Sequence, residues 1–143
     1  MAETQAGAVR RRVLIAEDEA LIRLDLAEML VEEGYDVVGE AGDGETAVRL
    51  TEELRPDLVI LDIKMPEIDG LEVLRRIKGR EDTRSIPVVV LTSSREEQDV
   101  IESYELGVNS YIVKPVTFEA LVDILQTLEK YWFEIVEIGR AHV

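Results

Sequence analysis

Acidic, hydroxyl and amine side chains stand where the apolar runs of this sequence end. Glu17 and Asp18 follow the first run, and Asp62 follows the third. Thr92 closes the fourth run and Lys114 follows the fifth. Three carboxylates held close together repel one another, and a hard divalent cation with oxygen ligands removes that repulsion. The sequence therefore predicts a Mg²⁺ site, in which Mn²⁺ or Ca²⁺ can take the place of Mg²⁺.

The same residues are suited to the transfer of a phosphoryl group. Lys114 supplies a point charge that can hold an anion near the metal, and Thr92 can donate a hydrogen bond to that anion. A metal, a cation and a hydroxyl around one carboxylate provide the positioning and charge neutralisation that phosphoryl transfer needs. Asp62 is the predicted nucleophile, which becomes an aspartyl-phosphate. Taken alone, each of these residues could be a charge at a helix terminus, a helix cap or a surface lysine. Their occurrence together at the strand ends is what indicates a site.

These side chains meet only if the apolar runs are neighbouring strands of one sheet. Four runs are almost unbroken aliphatic stretches, as expected for parallel strands covered by helices on both faces. The second is interrupted by Gly39 and Glu40, which indicates an edge strand. In an open parallel sheet, ligands bind at the carboxyl ends of the strands. The runs are Val13–Ala16, Asp36–Glu40, Leu58–Leu61, Pro87–Leu91 and Tyr111–Val113.

The segments between the runs have the spacing of helices. Leu26 and Leu30 continue a helical stripe that ends at Gly34, and Leu121, Leu125 and Leu128 continue the clearest one. Five β-α units of roughly 20–25 residues each account for the chain. The predicted fold class is α/β, a doubly wound (βα)5 three-layer sandwich around a five-stranded parallel sheet.

Composition and charge exclude several classes of protein. The chain has 143 residues, with 16 Lys and Arg against 31 Asp and Glu, and its net charge of −15 disfavours nucleic acid and anionic membranes as partners. It has no cysteine, and its one histidine is His142, which excludes disulfides, a thiol nucleophile and a histidine-based metal site. Without a membrane span or a signal core, the sequence predicts a cytoplasmic single domain after a flexible leader over residues 1–11.

Other α/β sites for phosphate chemistry do not fit. A dinucleotide-binding fold needs a glycine-rich turn after its first strand, whereas this turn contains Glu17 and Asp18. A haloacid-dehalogenase-type phosphatase has a second aspartate two residues after its nucleophile, and here that position is Lys64. No Walker-type phosphate loop is present.

The motifs together resemble a known family, the receiver domain of bacterial two-component response regulators, which is CheY-like in fold. The resemblance covers about residues 11–131 and implies a flavodoxin-like sheet with strand order 2-1-3-4-5. The matching segments read VLIAEDE at 13–19, PDLVILD at 56–62, KMP at 64–66 with DG at 69–70, VLT at 90–92 and GVNSYIVKP at 107–115.

This resemblance implies a role for each residue of the site. Asp62 would accept a phosphoryl group from a histidine kinase. Asp18 and Asp62 would bind Mg²⁺ directly, Glu17 would do so through water, and the backbone carbonyl of Lys64 would be a further ligand. Such a module is not an enzyme, although it aids its own phosphorylation and dephosphorylation at Asp62.

The resemblance also implies how the phosphoryl group is sensed. Thr92 and Lys114 would contact it, and Tyr111 would be an aromatic switch that turns inward when Thr92 is drawn toward the phosphate. The Lys114–Pro115 peptide bond would be cis. The interaction surface that changes would be formed by the fourth helix, the fifth strand and the fifth helix.

The pathway is less defined than the chemistry. The first half most resembles receivers linked to RNA-binding antiterminator domains, and the second half resembles stand-alone regulators of phytochrome-type kinases. Asp25 and Ser93 depart from the residues usual at their positions. Two functional classes stay open, a binding module whose partners change on phosphorylation, and a relay that passes the phosphoryl group to a histidine phosphotransfer protein.

The end of the chain is predicted to form an interface. We expect the receiver domain to span residues 12–131, followed by an apolar extension over 132–143 that is too short for a DNA-binding output domain. Tyr131, Trp132 and Phe133 would leave a large apolar patch exposed. We therefore expect a homodimer through the fourth helix, the fifth strand and the fifth helix, extended by this aromatic end. In the alternative, the fifth helix continues and folds Trp132 and Phe133 onto their own domain.

Overall fold

Five strands alternate with five helices along the chain. The computed structural model describes residues 10–141, with side chains described over residues 10–132. The strands are β1 (Arg12–Ala16), β2 (Asp36–Ala41), β3 (Leu58–Asp62), β4 (Val88–Thr92) and β5 (Ser110–Val113). The helices are α1 (Ala20–Glu32), α2 (Gly44–Leu54), α3 (Gly70–Gly79), α4 (Arg95–Glu102) and α5 (Phe118–Ala141).

The strands form one parallel sheet in the order β2-β1-β3-β4-β5. This confirms the predicted fold class and strand order. It also places the interrupted strand β2 at an edge, as its Gly39 and Glu40 indicated. Every residue of β3 and β4 is buried, which explains why these strands read as unbroken aliphatic runs. Within the part of the chain that the structure describes, no helix is long and apolar enough to cross a membrane.

Alternate residues of each strand supply two separate cores. Val59 and Leu61 of β3 face a cluster completed by α2, α3 and Ile101 of α4. Leu58 and Ile60 face the opposite cluster, which α1 and α5 complete. The helices therefore cover both faces of the sheet, and its carboxyl edge is left to the loops that follow the strands.

Side-chain caps fix the loops after three of the strands. Asp43, Asp69 and Ser94 precede α2, α3 and α4, and each accepts a hydrogen bond from the backbone N–H three residues later. The loop before α1 is different, because its N-cap residue Glu19 makes no side-chain cap bond. Instead, the N–H of Glu19 donates to Oε2 of Glu17 at 3.0 Å.

The last helix corrects the prediction for the end of the chain. α5 continues through the expected boundary at residue 131, and Trp132 is only 7% exposed within the core that α1 and α5 share. The Trp132 ring lies 6.5 Å from the Tyr35 ring, and the guanidinium carbon of Arg11 lies 4.8 Å from its centroid. The premise that Trp132 is exposed for a partner is therefore wrong, because its own domain covers it.

The other two residues of that expected interface have different outcomes. Tyr131 is 38% exposed. The side chain of Phe133 lies outside the described residues. Because Arg11 and Tyr35 precede strands β1 and β2, this end of α5 lies at the amino edge of the sheet, away from the carboxyl edge. The homodimer itself stays a prediction.

Candidate functional site

The carboxyl ends of β1 and β3 bring the three predicted carboxylates together. Glu17 and Asp18 follow β1, and Asp62 is the last residue of β3. One carboxylate oxygen from each lies within 4.8 Å of the others. Glu17 and Asp62 are buried while Asp18 is exposed, so the cluster reaches solvent through Asp18.

Asp62 is held by donors on both of its oxygens. Nζ of Lys114 lies 3.1 Å from Oδ2, and the backbone N–H of Lys64 donates to Oδ1 at 3.2 Å. Gly70 crosses directly behind this residue, since a Cβ built on Gly70 would lie 2.5 Å from the Asp62 carbonyl oxygen. Close backbone packing therefore fixes the position of a carboxylate that is only 1% exposed.

Glu17 is fully buried beside Asp62. Burial raises the pKa of Glu17 to about 7, and the charge of Asp62 acts in the same direction. The N–H of Glu19 and the Lys114 ammonium, whose Nζ lies 3.5 Å from Oε1, oppose that rise. An acid in this environment is stabilised as a carboxylate by added positive charge, which a divalent cation would supply.

Lys114 joins the two buried acids from the end of β5. Burial lowers the pKa of Lys114, but hydrogen bonds and charge from Asp62 and Glu17 outweigh that effect and raise it. The side chain is therefore a permanent cation, and it is 19% exposed. The Lys114–Pro115 peptide bond that follows is cis.

Thr92 ends β4 beside this cluster with an unused hydroxyl. The residue is fully buried, and among the described residues its Oγ1 has no hydrogen-bond partner. The backbone is fixed, because the N–H of Lys114 donates to the Thr92 carbonyl at 2.8 Å. A buried polar atom without a partner costs about 1–3 kcal/mol, so this hydroxyl is suited to an incoming acceptor.

Tyr111 lies on β5, two strands away from Asp62 and two positions along the register from Thr92. It pairs with Val90 across the β4–β5 ladder and packs at the margin of the core that α2 and α3 share. The ring is half-buried, and burial together with the charge of Glu102 raises the pKa of its hydroxyl.

The arrangement fits a divalent metal and an anion. The three carboxylates provide the oxygen donors that Mg²⁺ prefers. The Lys114 ammonium and the Thr92 hydroxyl, which has no partner within the described part of the chain, suit an anionic ligand. Lys64 contributes its backbone at this site, and its side chain lies outward, with Nζ 3.6 Å from Glu97.

One residue at the site was not predicted. Arg23 of α1 donates from Nη1 to the Glu17 carbonyl oxygen at 2.7 Å. The only signal in the sequence is a cation within an apolar helical stripe shortly after an acidic loop. That signal is weak, because it specifies neither the direction of the side chain nor its acceptor.

Comparison with protein families gives a match over most of the chain. The family model described as response regulator receiver domain matches residues 13–126. This range contains β2 to β5 and all of β1 except Arg12, and with them Glu17, Asp62, Thr92 and Lys114.

Individual proteins and solved structures are similar over comparable lengths. The transcriptional regulatory protein PdtaR of Mycobacterium tuberculosis strain H37Rv is 49% identical over 129 residues, which are 90% of this chain and 62% of that protein. The chain thus spans about three fifths of that relative. The bacteriophytochrome response regulator AtBRR has a TM-score of 0.71 at 42% identity, covering 82% of this chain and 91% of its own.

A second solved structure contains a metal. The receiver domain of the sensor histidine kinase PA1611 from Pseudomonas aeruginosa PAO1 has a TM-score of 0.75 at 31% identity. The match covers 83% of this chain and 97% of that domain. In that structure a magnesium ion is coordinated in the active site cleft.

Proposed function

Because this chain belongs to the response regulator receiver domain family, we propose that it accepts a phosphoryl group on Asp62 from a histidine kinase. The observation that carries the proposal is the surroundings of Asp62. Its carboxylate lies 3.1 Å from the Lys114 ammonium and beside two further acids. The neighbouring strand β4 ends in the buried hydroxyl of Thr92, which has no hydrogen-bond partner among the described residues. A structural carboxylate would need the ammonium but not the other groups.

The transfer follows from these groups. A carboxylate oxygen of Asp62 forms a bond to the phosphorus of a phosphohistidine, the phosphorus–nitrogen bond breaks, and the nitrogen keeps the electron pair. Lys114 neutralises charge on the phosphoryl oxygens, and Thr92 donates its hydroxyl hydrogen to one of them. Loss of the phosphoryl group to water regenerates the Asp62 carboxylate.

Mg²⁺ is the proposed cofactor of this step. Asp18 and Asp62 would hold it directly, Glu17 would do so through water, and the Lys64 carbonyl would be a further ligand. When bound, Mg²⁺ supplies the positive charge that stabilises the phosphoryl oxygens. The fit rests on the three carboxylate oxygens within 4.8 Å of one another and on the buried Glu17 and Asp62, which share the Lys114 ammonium.

We expect Mg²⁺ to stabilise the folded protein. A ligand that binds only the native state adds about 2.7 kcal/mol at a concentration of 100 Kd, so the melting temperature should rise with added Mg²⁺. Asp18→Asn removes one carboxylate and should abolish most of the rise. The exposed Asp25→Asn variant, with the same change of charge on α1, should retain it. An unchanged melting temperature of the wild-type protein across the titration would contradict the metal site.

Phosphorylation is proposed to change the surface formed by α4, β5 and α5. Drawing the Thr92 side chain toward a phosphoryl group would open space behind it, and the half-buried Tyr111 ring is placed to fill that space. Two packings separated by a few kcal/mol make a bistable element that a bound dianion can shift. Exposed apolar residues on this surface, Val113 and Phe118, would then meet a partner or a second copy of the chain.

The switch predicts a spectroscopic response. Beryllofluoride with Mg²⁺, which mimics a phosphoryl group on aspartate, should shift the amide resonances of Tyr111 and of α4. The Asp62→Asn variant serves as the control, in which the same addition should leave these resonances in place. If saturating beryllofluoride leaves the α4 amides of the wild-type protein unchanged, the coupling from Thr92 to Tyr111 is absent.

The kinase and the fate of the phosphoryl group need one further experiment. A phytochrome-type kinase is a candidate donor, supported by the similarity to AtBRR. In phosphotransfer profiling, each labelled histidine kinase of the source organism is mixed briefly with the chain, and we expect one kinase to transfer label fastest. Label lost only to water supports a binding module, and label returned to a histidine phosphotransfer protein supports a relay. Failure of every kinase to label the chain would contradict the proposal.

A further inference from the structure

Arg23 connects the acidic loop after β1 to the end of β2. Its Nη1 donates to the Glu17 carbonyl oxygen at 2.7 Å, and its Nε donates to Oε1 of Glu40 at 3.2 Å. The guanidinium group is partly buried between these acceptors, with the Arg23 side chain 23% exposed. One side chain on α1 therefore ties the loop of the candidate metal site to the neighbouring edge strand.

The acceptor on Glu17 is part of the peptide group that leads into Asp18. The N–H of Glu17 donates to the Ala41 carbonyl at 2.9 Å, so Glu17 is fixed through its N–H on one side and through its carbonyl on the other. Asp18 follows directly and its side chain is exposed. The orientation of the Glu17–Asp18 peptide group thus decides where the exposed carboxylate lies.

The loop before α1 also lacks the support that the neighbouring loops have. Asp43 and Asp69 cap α2 and α3 through their side chains, whereas the N-cap residue Glu19 of α1 makes no such bond. The described bonds that restrain the loop are those of Arg23, of the Ala41 carbonyl and of the Glu17 carboxylate. The third involves a carboxylate that the proposed function assigns to the metal.

We propose that Arg23 is a positioning residue for the divalent cation. It holds the Glu17–Asp18 peptide group so that the two carboxylates face Asp62 before the metal arrives. The inference rests on the proposed function, because it concerns the same metal site. A positive charge beside a cation site would by itself weaken cation binding. Removing Arg23 should therefore lower the Kd for Mg²⁺ if the residue acts only through its charge, and raise the Kd if the residue positions the ligands.

The test is calorimetric titration of the full chain with Mg²⁺ alone. Removing a hydrogen-bond partner of a metal-ligand segment commonly costs about 10-fold or more in affinity, so Arg23→Ala should raise the Kd for Mg²⁺ about 10-fold. Arg23→Lys keeps the charge but cannot reach both acceptors with a planar fork, so its Kd should also rise. Arg49→Ala makes the same change of charge at an exposed pair with Glu53 and should leave the Kd unchanged.

Hydrogen exchange in the metal-free protein gives an independent measurement. Arg23→Ala should speed exchange at the amides of Glu17 and Glu19, while the amides of the buried strand β4 exchange as in the wild type. A general loss of stability would instead speed exchange in β4 as well. Faster exchange confined to the loop, together with a weaker Kd, supports the positioning role.

Several results would overturn the inference. A lower Kd in Arg23→Ala would mean that the guanidinium acts only as a charge, and an unchanged Kd would mean that it has no effect on the site. A wild-type Kd in Arg23→Lys would mean that the charge alone is sufficient. Exchange that is faster throughout the protein would make Arg23 a general stabilising residue. If the wild-type chain binds no Mg²⁺, the proposed metal site fails and this inference fails with it. Wild-type binding with an unaffected Arg23→Ala variant refutes the inference alone.

Discussion

Asp62→Asn should abolish the covalent modification of this protein by small phosphodonors. With acetyl phosphate and Mg²⁺, the wild-type chain should gain the mass of one phosphoryl group, because the Asp62 carboxylate can attack phosphorus while Lys114 neutralises the charge that is transferred. An amide is not a nucleophile under these conditions, so the variant should show no gain. Intact-mass spectrometry before and after addition of the donor measures the difference.

A matched variant at the opposite, amino edge of the sheet separates chemistry from folding. Asp57→Asn changes an aspartate just before β3, where the carboxylate accepts a hydrogen bond from the backbone N–H of Arg12 at 2.8 Å. That role needs only an acceptor oxygen, which asparagine retains, so modification should proceed as in the wild type. Equal modification of the Asp62→Asn protein would mean that another residue carries the phosphoryl group.

Trp132→Ala should destabilise the fold by about 3 kcal/mol, because removing a large buried aromatic side chain leaves a cavity. Trp132 lies in the core that α1 and α5 share, against Tyr35 and beneath the Arg11 guanidinium. Urea denaturation followed by circular dichroism measures the change in the free energy of unfolding. A loss below about 0.5 kcal/mol, the usual size for a surface substitution, would contradict the packing of Trp132 on its own domain.

The neighbouring residue provides the control and addresses the homodimer. Tyr131→Ala changes an aromatic residue that is 38% exposed on the same helix, so its effect on stability should be much smaller. If Trp132 is covered by its own domain, the dependence of the denaturation midpoint on protein concentration should be the same in the wild type and in Trp132→Ala. A midpoint that rises with concentration in the wild type and not in Trp132→Ala would instead place this residue in an interface between two copies.

The sequence by itself was enough to predict the parallel sheet and the residues that lie at its carboxyl edge. Unbroken aliphatic runs such as Leu58–Leu61 bury both faces of a strand, and parallel strands place their carboxyl ends at one edge. Asp62 could therefore be assigned to the same place as Glu17 and Thr92 without knowledge of any contact. The interrupted pattern around Gly39 was likewise enough to predict an edge strand.

Only the tertiary structure decided what each side chain meets. Three features depend on residues from other elements: the lack of a partner for the Thr92 hydroxyl among the described residues, the contact of Arg23 with the Glu17 carbonyl, and the direction of Trp132. An apolar residue near the end of a helical pattern can cover its own core or a partner's, because burial of either kind lowers the free energy equally well. The hydrophobic pattern predicts that Trp132 is buried. Only the packing of α5 shows that Trp132 is buried against Tyr35 and Arg11 of its own domain.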